Sequence, residues 1–165
     1  LPVEFDDDTQ QLLDKIDSTD AGSTAPSAAS NINVTVDLPE GWVENKDQTN
    51  VIAAYEKETN MVYVMAAWVP DEVKNVTDLA EYEKEQVGEH FEDAVFSEVE
   101  SVTVSGMQGA RLSMDISIAK TLKQTQTYVY LEKGGNYYKI LIAYFSDDEQ
   151  GKKETEDILA SMKIE

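Results

Sequence analysis

The chain has no cysteine, one histidine, one arginine and four prolines in 165 residues. The missing cysteines exclude disulfides, thiolate metal sites and cysteine nucleophiles, and they leave the redox compartment open. With His90 as the only histidine, a Ser-His-Asp triad has to be built through it, and no G-x-S-x-G elbow surrounds any serine. Phosphate-cradling glycine loops are absent, and Gly106-Met107-Gln108-Gly109 is read as a turn rather than a nucleic-acid clamp. No apolar run approaches the roughly 20 residues of a membrane-spanning helix. Positive charge is scarce: 13 basic residues face 33 acidic ones, a formal charge of -20. Such a field repels phosphate backbones and anionic lipid, so neither nucleic acid nor a lipid surface is expected as a partner of the domain. It suits a basic partner or cations.

What is present is organised around Ile32 to Trp42, INVTVDLPEGW. Ile32, Val34, Val36 and Leu38 alternate with polar residues, the period of a strand with one apolar face. Pro39 ends the ladder, and Gly41 supplies a permissive turn before Trp42. Residues 1–30 read as an acidic, flexible arm and linker. Asp6-Asp7-Asp8 is a charge run, Leu12, Leu13 and Ile16 make one short helical stripe, and Asp17 to Ser30 has linker composition. Residues 31–165 read as a single domain, long enough to bury roughly two thirds of its unfolded surface.

Within the domain, Val51 to Tyr55 and Val62 to Val69 predict a hairpin around a charged turn, and the nearly unbroken Met61 to Trp68 run predicts a central strand covered on both faces. Asn75 to Ala94 reads as a helix capped at Thr77, with Val76, Leu79, Ala80, Val87, Phe91 and Ala94 on one face. Glu83 and His90 fall within the same stripe. Phe96 to Val104 is a weaker strand and Ser105 to Gly109 a turn. Then Ala110, Leu112, Met114, Ile116 and Ile118 alternate with Arg111, Ser113, Asp115, Ser117 and Ala119. Thr125 to Leu131 and Tyr137 to Phe145 predict a hairpin about Gly134-Gly135. Ser146 and Glu149 form a capping box for a last helix carrying Thr155, Ile158, Leu159 and Met162 on one face, with Gly151 costing ~1 kcal/mol relative to alanine. The order β-β-β-α-β-β-β-β-α with short turns implies an α+β fold, a largely antiparallel sheet covered by helices.

Several stretches resemble the PsbP/Mog1-like fold family, and especially its bacterial lipoprotein branch. They are Val36-Asp37-Leu38-Pro39-Glu40-Gly41-Trp42, Val104-Ser105-Gly106 with Gly109-Ala110, Gly134-Gly135-Asn136-Tyr137-Tyr138-Lys139-Ile140, and Ile158-Leu159-Ala160-Ser161-Met162-Lys163, with methionine where the family has phenylalanine. The resemblance spans about Ile32 to Ile164. It implies an antiparallel sheet sandwiched between helices and a non-enzymatic role: a surface or secreted binding or accessory domain, or a chaperone-like holder of a hydrophobic segment. It also implies an extracytoplasmic location, with residues 1–30 as the tether behind a lipidated cysteine upstream of Leu1. The basic docking of the photosystem subunit does not fit so acidic a chain.

Candidate site residues follow from residue type. Trp42, Trp68, Tyr128, Tyr130 and Tyr137 are candidates for a recognition surface, since tyrosine and tryptophan give large contact area with a polar tip. The Tyr128–Tyr144 tyrosines fall on both strand faces, so core packing competes with that role. Arg111, on the same strand face as Asp115, is a candidate anchor for an acidic ligand group or one half of a surface pair. Glu83 and His90, two turns apart, are weak candidates for a metal or a proton-linked pair, short of the three or four ligands a metal site needs. No cofactor is expected. Structural calcium is open by carboxylate number, at Asp6-Asp7-Asp8 or Asp147-Asp148-Glu149, though neither has EF-hand spacing. A carboxylate-dependent hydrolase is the third alternative, carried by no motif.

Overall fold

A computed structural model describes residues 32–165; the arm and linker predicted over residues 1–30 lie outside them. The strands are β1 (Val34–Thr35), β2 (Val43–Glu44), β3 (Ala53–Lys57), β4 (Asn60–Ala66), β5 (Val95–Phe96), β6 (Glu100–Val104), β7 (Met107–Ala119), β8 (Leu122–Lys133), β9 (Asn136–Phe145) and β10 (Lys163–Ile164). The helices are α1 (Val76–His90), between β4 and β5, and α2 (Glu149–Ser161), between β9 and β10. Eight strands form one antiparallel sheet in the order β2-β3-β4-β9-β8-β7-β5, with β6 also pairing β7, while β1 and β10 pair separately.

Period-2 alternation explains how the sheet is covered. In β8, Tyr128 and Tyr130 join one apolar cluster, while their neighbours Val129 and Leu131 join the other. The first cluster takes Leu112, Met114 and Ile116 from β7, and α1 adds Leu79 and Ala80. The second takes Ile140 and Ile142 from β9 and Val62 and Val64 from β4, and α2 adds Ile158 and Leu159. The helix α1 packs on β7 and β8, and α2 packs on β4 and β9. This offset leaves part of the β7–β8 surface beside α2 without a helix over it.

The hairpin at Gly134-Gly135 forms as expected, both glycines having positive φ (60° and 83°). The alternating run at 110–119 lies within the long strand β7, and the Met61 to Ala66 stretch is an interior strand with Val62 and Val64 fully buried.

Other boundaries differ from expectation. Of the Ile32–Leu38 run only Val34–Thr35 forms a strand, extended by the two backbone hydrogen bonds that Asn33 exchanges with Glu165 (2.8 and 2.9 Å), and past it Asp37 N–H turns to Ser161 Oγ (2.9 Å). Asn75, not Thr77, caps α1, its Oδ1 accepting from Asp78 N–H at 2.8 Å. Asp148, not Ser146, caps α2, accepting from Gly151 N–H at 2.9 Å, while the Ser146 hydroxyl meets that of Thr125. The Phe96–Val104 strand splits into β5 and β6. Ser97 N–H still bonds Ser113 O (2.8 Å), and Glu98 and Val99 then bulge before Glu100 pairs with Arg111.

Two glycines are there for close approach. Gly109 lies inside β7 rather than in a turn, and a Cβ there would sit 2.5 Å from Tyr130 O and 2.7 Å from Leu131 Cδ2. At Gly151 a Cβ would meet Asp148 Oδ2 at 2.6 Å and Asn60 Nδ2 at 2.7 Å. Helix propensity alone makes Gly151→Ala stabilising by ~1 kcal/mol. The packing reverses the sign: G151A is expected to lower the stability by about 1 kcal/mol or more in urea denaturation, through displacement of the Asp148 cap. A gain in stability would contradict this packing.

Candidate functional site

The candidate residues separate into three environments. Trp42 and the tyrosines of β8 are core residues: Trp42 is 6% exposed, Tyr128 2% and Tyr130 0%. Their proposed place on a recognition surface is therefore corrected. Trp42 is buried because its loop folds back over α2, and Tyr128 and Tyr130 because α1 lies over them. Tyr137 is half-buried at the start of β9. Trp68, expected inside a covered strand, follows the end of β4 and is 53% exposed.

The indole of Trp42 organises a buried polar cluster. Its Nε1–H donates to Glu154 Oε2 at 2.7 Å, and the same carboxylate accepts from Lys57 Nζ (3.0 and 3.2 Å) and Gln150 Nε2 (2.9 Å). Burial pushes the Glu154 carboxyl up, but the hydrogen bonds from Trp42, Gln150 and Lys57 and the Lys57 charge outweigh it, and the pKa lies below the ordinary value. These contacts tie the loop after β1, the end of β3 and α2 together.

A second polar cluster sits under α1. Tyr130 Oη–H donates to Glu83 Oε2 at 2.6 Å, and Lys139 Nζ lies 3.5 Å from the same oxygen and 5.5 Å from the Tyr128 ring centroid. The Tyr128 hydroxyl donates to Gln126, whose amide donates to Gln124. Glu83 thus faces Tyr130 and Lys139, while His90 is exposed at the last position of α1. Among the described residues no group of three or more His, Asp or Glu side chains gathers to hold a metal. Sequence reasoning missed this cluster, although two signals pointed to it. A glutamate stands inside the apolar stripe of α1, and a lysine stands between Tyr138 and Ile140 in an otherwise apolar strand; a buried charge is strongly destabilising unless it meets an opposite partner.

The third environment is open. Beside α2, the polar face of β7 forms the floor of a trough of about 570 Å3. Ser113, Asp115 and Thr125 form the floor, α2 contributes Glu149 and Lys152, and the β5–β6 edge contributes Ser97 and Glu100. Arg111 lies at one end, its guanidinium paired in a fork with the Glu156 carboxylate of α2 (Nη1 to Oε2 3.0 Å) rather than with Asp115. That hydrogen bond, partly opposed by burial, raises the Arg111 pKa further. Asp115 accepts from Thr125 Oγ1 at 2.6 Å. Burial, followed by the Glu156 charge, pushes the Tyr144 phenol up, so it lines the trough as a neutral hydroxyl. The trough therefore offers hydroxyls and three carboxylates, with Arg111 already neutralised.

No protein-family model matches the sequence, nor does any curated protein. Solved structures do match its fold. LpqN, a Mycobacterium tuberculosis protein involved in cell envelope biogenesis, is 7% identical over 82% of this chain and 84% of its own, with a TM-score of 0.59. Cyanobacterial PsbP (CyanoP) from Synechocystis sp. PCC 6803 is 12% identical over 87% of this chain and 98% of its own, with a TM-score of 0.56. At such identities the likeness is one of fold, and the chain has the PsbP/Mog1-like fold that its motifs resemble. Among the described residues no helix is long and apolar enough to cross a membrane.

The Glu154 cluster sets a pH dependence. A carboxyl whose pKa is depressed on folding contributes stability that is full above the unfolded value, roughly 4.3, and is lost as pH falls through the folded value. Glu154→Gln is expected to cost about 1.5–3 kcal/mol at pH 7, the range for hydrogen bonds to a charged group. The gap to wild type should close in acid, as measured by denaturation from pH 7 to 3. A gap that stays constant with pH would contradict a charged Glu154.

Proposed function

We propose that this chain is a non-catalytic, extracytoplasmic binding or accessory domain, tethered at the cell surface through its N-terminal segment. The observation that carries the reading is the trough beside α2. Among the described residues, a polar sheet face stays open there, whereas Trp42, Glu154, Glu83, Lys139 and Arg111 are each engaged in contacts that hold the fold. The membership of α1 and α2 in different core clusters supports an α/β/α sandwich. The fold neighbours support the location, since LpqN is involved in cell envelope biogenesis.

A trough lined by hydroxyls and carboxylates favours a polar or basic partner over a hydrophobic segment, and so favours the accessory domain over the chaperone-like holder. The test is affinity capture from native envelope extract, with the wild-type chain and an Asp115→Lys, Glu149→Lys chain as parallel baits. The expected result is a partner recovered by the first and lost by the second, with both baits equally folded by circular dichroism. Recovery of nothing, or of the same proteins by both, would contradict a binding role for this trough.

A further inference from the structure

The trough is bounded by an edge strand whose hydrogen-bonding groups point outward. Strand β6 pairs with β7 on one side, and no strand among the described residues pairs with its other side. The register fixes which groups are free. Val104 faces Met107 across the two-residue turn Ser105-Gly106, whose φ values of 53° and 78° are those of a tight hairpin turn. In such a hairpin Val104 and Met107 exchange backbone hydrogen bonds, and so do Val102 and Gly109. Ser101 and Thr103 fall between them and direct their N–H and C=O groups away from β7. Both residues are exposed.

The side chains of β6 complete the geometry. Glu100, Val102 and Val104 alternate onto the α2 side, and Glu100 and Val102 line the trough. A strand added outside β6 lies about 4.8 Å from it, so its side chains on the α2 side meet Glu100 first, and long ones point across β6 toward the other trough carboxylates. Those carboxylates are Glu100, Asp115 and Glu149, against one lysine in the lining, Lys152, which forms no ion pair among the described residues.

We propose that β6 and the trough together form a docking site for an extended, basic segment of a protein partner, which adds to the sheet as a strand at Ser101 and Thr103 and places its cationic side chains over Glu100, Asp115 and Glu149. Main-chain pairing supplies the affinity and the alternate side chains the selectivity, the division of labour in strand addition. The net charge of -20 favours the encounter with a basic segment. The bulge at Glu98–Val99 and the charge of Glu100 disfavour pairing of this edge with a second copy of the same acidic chain. This inference rests on the binding role proposed above and names the partner's chemistry.

The experiment titrates the full chain with a short synthetic peptide of alternating lysine and threonine. A glutamate–threonine peptide and a lysine–threonine peptide N-methylated at alternate backbone nitrogens serve as controls. Binding of the first peptide alone is expected, weakening as salt is raised. Thr103→Pro removes an outward N–H without touching the β6–β7 ladder, and it is expected to weaken binding about tenfold or more. Equal binding to wild type and T103P overturns the proposal, as does equal binding of the N-methylated peptide or no binding at all. Should T103P not fold, the N-methylated peptide against wild type decides. If envelope capture succeeds and T103P captures the same partner, strand addition fails while the binding role stands.

Discussion

The structure depends on β8 being buried on both of its faces. Tyr128, Val129, Tyr130 and Leu131 are each at most 2% exposed, so successive residues of one strand feed two separate cores. A one-residue slip of β8 against β7 or β9 would exchange those faces and put Tyr130 where Leu131 stands. Gly109 guards the register, since the backbone carbonyl of Tyr130 lies where any Cβ at 109 would go. The turn at Gly134-Gly135 sets the register on the β9 side. Once this meander is fixed, each helix has one apolar face to cover.

The position of α2 follows from polar contacts as much as from Ile158 and Leu159. Glu154 holds the Trp42 loop and Lys57, and Glu156 holds Arg111 of β7. Both ties anchor the helix over β4 and β9, and they leave the Ser113–Asp115 stretch of β7 uncovered. The open trough is thus a consequence of where the helix is pinned. Its acidity matches the surface field of the whole chain, so local and global electrostatics favour the same kind of partner.

Much of the fold was legible in the sequence because it is written in short-range periods. The Ala110–Ala119 alternation, the glycine pair between β8 and β9, and the stripes around Leu79 and Ile158 all read correctly. Features set by long-range contact did not. The Trp42–Glu154 bond joins residues 112 positions apart, and nothing near either one announces it. The tyrosines of β8 resembled a recognition surface because tyrosine suits both a core and an interface, and only the placement of α1 decides between them. The Arg111–Asp115 pairing failed in the same way: a strand face brings the two residues to one side, but Glu156 arrives from another element. The trough was visible only as the polar half of the β7 alternation, and its walls come from α2 and the β5–β6 edge.

The most direct test of this account is native-state amide hydrogen exchange resolved by residue. It predicts the slowest exchange in β8, at Val129 to Leu131, where both faces are covered and both ladders are complete. It also predicts alternating protection in β6, with Val102 and Val104 protected and Ser101 and Thr103 exchanging rapidly. Uniform protection along β6 would mean that its outer edge is already paired, and rapid exchange in β8 would mean that the doubly buried strand is not the centre of the fold.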